Sequence, residues 1–323
     1  MKIVLTPDNP IILIGQPFTL QVTMTDCPST LMWASAQIAG KIKSLKTETE
    51  TILKQIVHDA LGADENAPFF GHVMSGSRLI ASNFSTPKTF LLTINTNGIP
   101  PTYNGVSISI SYELRVATQI AGTPLSYISV PLRFVGHPKS YVILEKCQDE
   151  AFFDIKSFLA NSVPAPFALV STYKYPEDSF KIIDHQIEFQ DQKVVTLTMA
   201  LEVQVGQLLT GLFTINKNSS ITPKKVSISL IRKEIFSKTG EIFDSIVISN
   251  NVDLQYIVSR RFSIQIPFSA SPDFSTNIFA VSHELVLNFS WNQGTFQWSA
   301  PFKVFPPELT LSTSRSPITG SIQ

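Results

Sequence analysis

The sequence predicts an all-β chain: two tandem immunoglobulin-like β-sandwiches with one short inserted helix. Three observations carry this. Apolar and polar residues alternate with period two over long runs, as half-buried antiparallel strands do. The runs of the first half recur, in the same order, in the second. Only one segment has a clear helical periodicity. Strands with so little helix between them need a facing sheet to bury their apolar sides, which is the sandwich solution. One large, irregular β domain is the competing arrangement, and the ordered recurrence argues against it.

The chain has 323 residues, enough for two cores. Lys plus Arg and Asp plus Glu balance at 25 each, so no global field draws it to nucleic acid or to an acidic membrane. The apolar fraction of 43% supports folding over disorder. In the opening MKIVLTPDNPIILIG, Pro7, Asp8 and Pro10 interrupt a signal-type apolar core. No run approaches the roughly 18 apolar residues that span a bilayer. Cys27 and Cys147 are the only cysteines, which points to the cytosol, where the Asn83, Asn218 and Asn288 sequons carry little meaning.

The first sandwich is expected over residues 1–145. Its longest alternating run starts at Val106. Val106, Ile108, Ile110, Tyr112, Leu114 and Val116 share one face; Ser107, Ser109, Ser111, Glu113 and Arg115 share the other. Asn104-Gly105 before it is turn chemistry, since both residues tolerate positive φ. Upstream, Phe90, Leu92 and Ile94 alternate.

One segment interrupts this copy. Residues 46–61 read KTETETILKQIVHDAL, with Ile52, Leu53, Ile56, Val57, Ala60 and Leu61 at helical spacing. Thr47 with Glu50 forms a capping box, and Gly62 is a stop. This helix either covers an open edge or end of the first sandwich, or offers Ile52, Leu53, Ile56 and Val57 to a partner.

Residues 146–180 have connector composition, with Pro164-Ala-Pro166 and Tyr175-Pro-Glu-Asp. The second sandwich is expected over 181–307. There Pro272-Asp273-Phe274 echoes Pro101-Thr102-Tyr103, and Glu284-Leu285 echoes Glu113-Leu114 at the same distance from the proline. Phe279, Val281, His283 and Leu285 match Ile108, Ile110, Tyr112 and Leu114. Phe262, Ile264 and Ile266 match Phe90, Leu92 and Ile94. Pro301-Phe-Lys-Val resembles Pro131-Leu-Arg-Phe, and Val205-Gly-Gln resembles Ile14-Gly-Gln. The polar tail, 308–323, is expected to be loose.

The chemistry-bearing residues form no recognisable constellation. His58, His72, His137, His185 and His283 lack metal-ligand spacing to one another or to the cysteines. His283-Glu284 lacks the second His of a zinc protease motif and lies on an expected strand. No phosphate loop, dinucleotide fingerprint or nucleophile elbow occurs. The reading is therefore a protein without catalytic, cofactor-binding or metal-binding residues. Lys224, Lys225, Arg232 and Lys233, with Arg260-Arg261, are either solvated strand ends or a basic patch for an anionic membrane or acidic partner.

Pro100-Pro101-Thr102-Tyr103 fits the proline-rich peptide bound by WW domains. Such a ligand must be exposed and extended. This one runs straight into a core strand, and its echo keeps only Pro-x-aromatic. Both features favour a structural lead-in turn with Tyr103 and Phe274 packed down.

Tandem β-sandwiches with a Pro-x-aromatic turn before a long strand resemble the arrestin fold. Leu31-Met-Trp33-Ala34-Ser35-Ala36-Gln37-Ile38 resembles, more closely, the Trp-Ala-Ser-Ala-Gln-Ile block of the Rgp family of retrograde Golgi transport proteins. The run from Pro100 and Pro101 through Tyr103 and Gly105 to Val116 is similar to that family's next block. Phe262–Phe289, with Pro272 and Phe274, is similar to its C-terminal block. The chain departs at His283, where a larger aromatic such as Trp is expected. The resemblance implies a scaffold subunit that pairs with a large propeller-containing Ric-type protein, the pair exchanging nucleotide on a Golgi Rab GTPase in retrograde endosome-to-Golgi transport. It further implies a cytoplasmic protein peripheral at the Golgi membrane.

Overall fold

The structure is a computed structural model; it describes residues 2–7, 12–14, 18–25, 31–46, 71–80, 88–94, 96, 100–136, 180–237, 239–276, 279–307 and 318–321. Two compact units divide the chain. Unit 1 comprises Met1–Ser171 with Leu309–Gln323, and unit 2 comprises Thr172–Glu308. The junction at 171/172 falls inside the stretch expected as connector. The described residues are all β, without a helix. The helix expected over 46–61, with Ile52, Leu53, Ile56 and Val57, lies outside the described residues apart from Lys46, as do Cys27 and Cys147.

Unit 1 contains β1 (Lys2–Pro7), β2 (Ile12–Leu13), β3 (Phe18–Thr25), β4 (Leu31–Ser44), β5 (Gly71–Ile80), β6 (Lys88–Ile94), β7 (Tyr103–Asn104), β8 (Ile108–Ile120), β9 (Ser126–Leu132), β10 (Phe134–Val135) and, from the far end of the chain, β21 (Ile318–Ser321). One sheet has the order β21-β1-β3-β6; the other has β5-β4-β8-β7, with β9 also on β8. β10 pairs parallel with β2. Unit 2 contains β11 (Ile183–Phe189), β12 (Gln192–Met199), β13 (Glu202–Gln204), β14 (Leu208–Ile215), β15 (Lys225–Phe236), β16 (Ile242–Asp253), β17 (Ser259–Gln265), β18 (Phe274–Ser275), β19 (Phe279–Trp291) and β20 (Gly294–Phe305). Its sheets run β11-β12-β14-β17 and β13-β20-β19-β15-β16, with β18 also on β19.

The two topologies are the same. β12 to β20 repeat β1 to β10, with β20 continuing through the positions that β9 and β10 share. Backbone hydrogen bonds repeat with them. Thr102 N–H donates to Phe134 O at 2.9 Å, and Asp273 N–H to Val304 O at 2.8 Å. Gly105 N–H reaches Ile108 O at 2.9 Å, and Thr276 N–H reaches Phe279 O at 2.8 Å. Ile14 N–H and Val205 N–H donate to Val135 O and Phe305 O, both at 3.0 Å.

Alternation sets the cores, because successive side chains point to opposite faces of a strand. On β8, Ile108, Ile110, Tyr112, Leu114 and Val116 are buried, as are Leu20, Val22 and Met24, which alternate on β3 of the other sheet. In unit 2, Phe213 of β14 meets Phe289 of β19 edge-to-face across the sandwich, ring centroids 6.0 Å apart. Phe213 also stacks on Phe262, 5.0 Å away. Gly211 makes that arrangement possible: a Cβ there would lie 2.6 Å from the Phe262 ring.

One expectation is corrected. The run 308–323, expected as loose, contributes β21, which pairs antiparallel with β1 from Lys2↔Ser321 to Leu5↔Ile318. In unit 2 the same sheet position is filled by β11, paired with β12. A sheet edge offers unpaired N–H and C=O groups to any extended segment. Four residues of almost any composition can take that place, which is why Thr-Gly-Ser gave no strand signal.

Candidate functional site

Two lead-in turns and one interior polar group carry the features singled out in the sequence. Pro100, Pro101 and Tyr103 are buried, with Tyr103 only 3% exposed. Thr102 faces out, and its hydroxyl accepts the Phe134 N–H at 2.9 Å. Tyr112 donates its phenolic hydrogen to Pro100 O at 2.6 Å and packs on Phe134 at 4.3 Å between centroids. Burial pushes the Tyr112 phenol well above its ordinary pKa. A WW-type ligand needs these prolines and the tyrosine free, and they are not.

The second turn is built the same way. Phe274 is 3% exposed and meets Phe279 edge-to-face at 5.6 Å. Asp273 replaces Thr102, and its Oδ1 accepts the Val304 N–H at 3.2 Å. Pro272 is half-buried. Here the copies part in chemistry. The register pairs Gly40↔Tyr112 and Ile42↔Ile110 of β4 and β8 correspond to Arg232↔His283 and Glu234↔Val281 of β15 and β19. Three apolar or neutral positions thus hold Arg, Glu and His. His283 Nδ1 lies 2.6 Å from Asp273 Oδ1. Arg232 approaches Glu234 at 3.7 Å and donates from Nε to Ser245 Oγ at 3.1 Å. Glu234 and His283 are both buried.

Asp–His pairing suits general-base chemistry only when the free ring nitrogen reaches a substrate. His283 Nε2 is buried and has no hydrogen-bond partner among the described residues. With the imidazole buried and Asp273 partly exposed, the pair ties the 272–274 turn to β19 and, through the Val304 N–H, to β20. The described residues contain no group of three or more His, Cys, Asp and Glu placed to hold a metal ion, and they include no helix long and apolar enough to cross a membrane.

Arg232 and Lys233 do not share a patch with Lys224 and Lys225. Arg232 and Lys233 are neighbours on β15, so they point to opposite faces. Arg232 belongs to the interior group. Lys233 lies on the outer face, 2.6 Å from Glu284. This contact raises the Lys233 pKa and lowers that of Glu284, which also accepts a hydrogen bond from Ser299. Lys224 and Lys225 are exposed at the start of β15, with Lys225 about 26 Å from Lys233 at 3.3 Å per residue.

The Trp33 block forms β4, paired with β5 on one side and β8 on the other. Trp33 is half-buried, and Ala34, Ala36 and Ile38 are fully buried. Ser35 and Gln37 alternate with them on the strand. Small residues at Ala34 and Ala36 face Thr118 and Val116 across the β8 pairing. Sequence reasoning missed the interior polar group as a group, because its members lie on three separate strands and a turn. The parity match of Arg232, Glu234 and the apolar Leu230 was the available signal.

No protein-family model matches the chain, and no curated protein matches it.

Proposed function

We propose that this chain is a non-catalytic scaffold subunit of a heteromeric guanine-nucleotide exchange factor for a Golgi Rab GTPase in retrograde endosome-to-Golgi transport. Its partner is a large propeller-containing Ric-type protein, and the complex sits peripherally on the Golgi membrane. The observation that carries the reading is the Trp33–Ile38 block, together with the two Pro-x-aromatic blocks, in the order found in the Rgp family. The duplicated β-sandwich topology agrees with the arrestin-like scaffold that family resemblance implies. Fold alone does not select a function, so the motif blocks bear the weight.

The test has two parts. Affinity purification from cells recovers the large propeller protein with this chain, and the two form a complex by size-exclusion chromatography. The complex accelerates nucleotide release from the Rab, whereas this chain alone does not. The partner also raises the melting temperature of the chain, because it binds only the folded form. Exchange by the purified chain alone overturns the subunit reading. Co-elution with receptor tails or ubiquitin ligases instead of the propeller protein replaces it with a cargo adaptor of the arrestin or retromer kind.

A further inference from the structure

We propose that the end of unit 2 formed around Tyr256 contacts an anionic lipid bilayer, with the tyrosine ring seated among the headgroups. Four connections meet at this end: the β11–β12 turn, the segment before β15, the loop between β16 and β17, and the β19–β20 turn. They are tied together. Leu254 N–H donates to Lys224 O and Lys224 N–H to Ser290 O, both at 2.8 Å. Ile215 N–H reaches Val258 O at 2.8 Å, and Asn216 Nδ2 reaches Lys193 O at 2.7 Å. The loop is therefore presented on a braced platform.

Tyr256 is 95% exposed, the most exposed large apolar side chain among the described residues. Its φ is 62°, the left-handed region that glycine or asparagine occupies without strain. A bulky ring in a strained backbone position, almost wholly exposed, is kept for a contact outside the unit. Val258 beside it is half exposed, and Ile257 between them packs on the core and anchors the tip. An aromatic with a polar tip suits the interface between headgroups and acyl chains.

Charge names the surface. Lys193, Lys217, Lys224, Lys225 and Arg260 stand exposed around this end, against Glu188, Asp191 and Asp253. Asp253 already uses Oδ1 to accept the Gln255 N–H at 2.9 Å. Long basic side chains reach phosphates while their stems lie along apolar surface. At the other end of the unit's strands, Phe180 packs edge-to-face on Phe305 at 5.4 Å. The inference concerns lipid contact by this chain itself and does not rest on the exchange-factor reading.

The experiment is co-sedimentation of the full chain with vesicles of phosphatidylcholine alone or with about one-third phosphatidylserine. Binding to the anionic vesicles, weakened by salt, is expected. Tyr256→Gly relieves the left-handed backbone, so it melts with the parent, yet its partitioning falls about tenfold. Lys224→Gln with Lys225→Gln lowers partitioning on the order of twentyfold. Equal binding to neutral vesicles, or no binding to anionic ones, overturns the proposal. So does a Tyr256→Gly chain that binds like the parent, which would leave only diffuse charge. Capture on an acidic protein without capture on vesicles overturns it in favour of a protein partner.

Discussion

Single side chains in the two turns set the stability of their own sandwich. Tyr103 and Phe274 occupy equivalent buried positions, so truncating either ring leaves a cavity that the neighbouring strands cannot close. Tyr103→Ala and Phe274→Ala are each expected to cost roughly 3–5 kcal/mol in chemical denaturation. Amide exchange separates them: the first variant loses protection on β8, the second on β19. Asp273→Ala strips His283 of its only partner on the described residues and leaves a buried imidazole unsatisfied, at a cost of about 1–3 kcal/mol. Glu284 gives a pH signature. Its pKa is lowered in the folded state by Lys233, so its contribution is present above the ordinary carboxylate pKa and is lost as pH falls through the folded value. The pair is partly exposed, so Glu284→Gln destabilises by only about 0.5–1 kcal/mol near neutrality and by nothing in acid; urea melts at the two pH values read the difference.

At the scale of elements, pattern and backbone play different parts. The alternation on β8 and β19 was legible because each strand buries one face, and every named apolar residue from Ile108 to Val116 and from Phe279 to Leu285 lies in a core. The doublet Arg232-Lys233 read as one basic spot in sequence, yet period two sends its members to opposite faces. β21 was illegible because an edge strand held by backbone groups needs no apolar pattern. A chain ending at residue 308 loses β21 and leaves β1 with one open side. Its expected cost is about 1–3 kcal/mol. Hydrogen exchange is the check: Lys2–Pro7 loses protection while β12 and β14 keep theirs.

Across the whole molecule, two copies share topology and the hydrogen bonds of the lead-in turns, and differ in what fills the interior beside them. Unit 1 places Tyr112 opposite Gly40; unit 2 places His283 opposite Arg232. The duplication was readable from the proline spacing, whereas the polar interior required knowing which strands are neighbours. The placement of β21 also orders events during synthesis. A ribosome releases residues 2–7 early and residues 318–321 only after all of unit 2 has emerged. Throughout that interval the second sandwich can acquire its full complement of strands, while the first waits with one margin of its sheet bare. The nascent chain thus completes its earlier half last, once residues 318–321 have emerged.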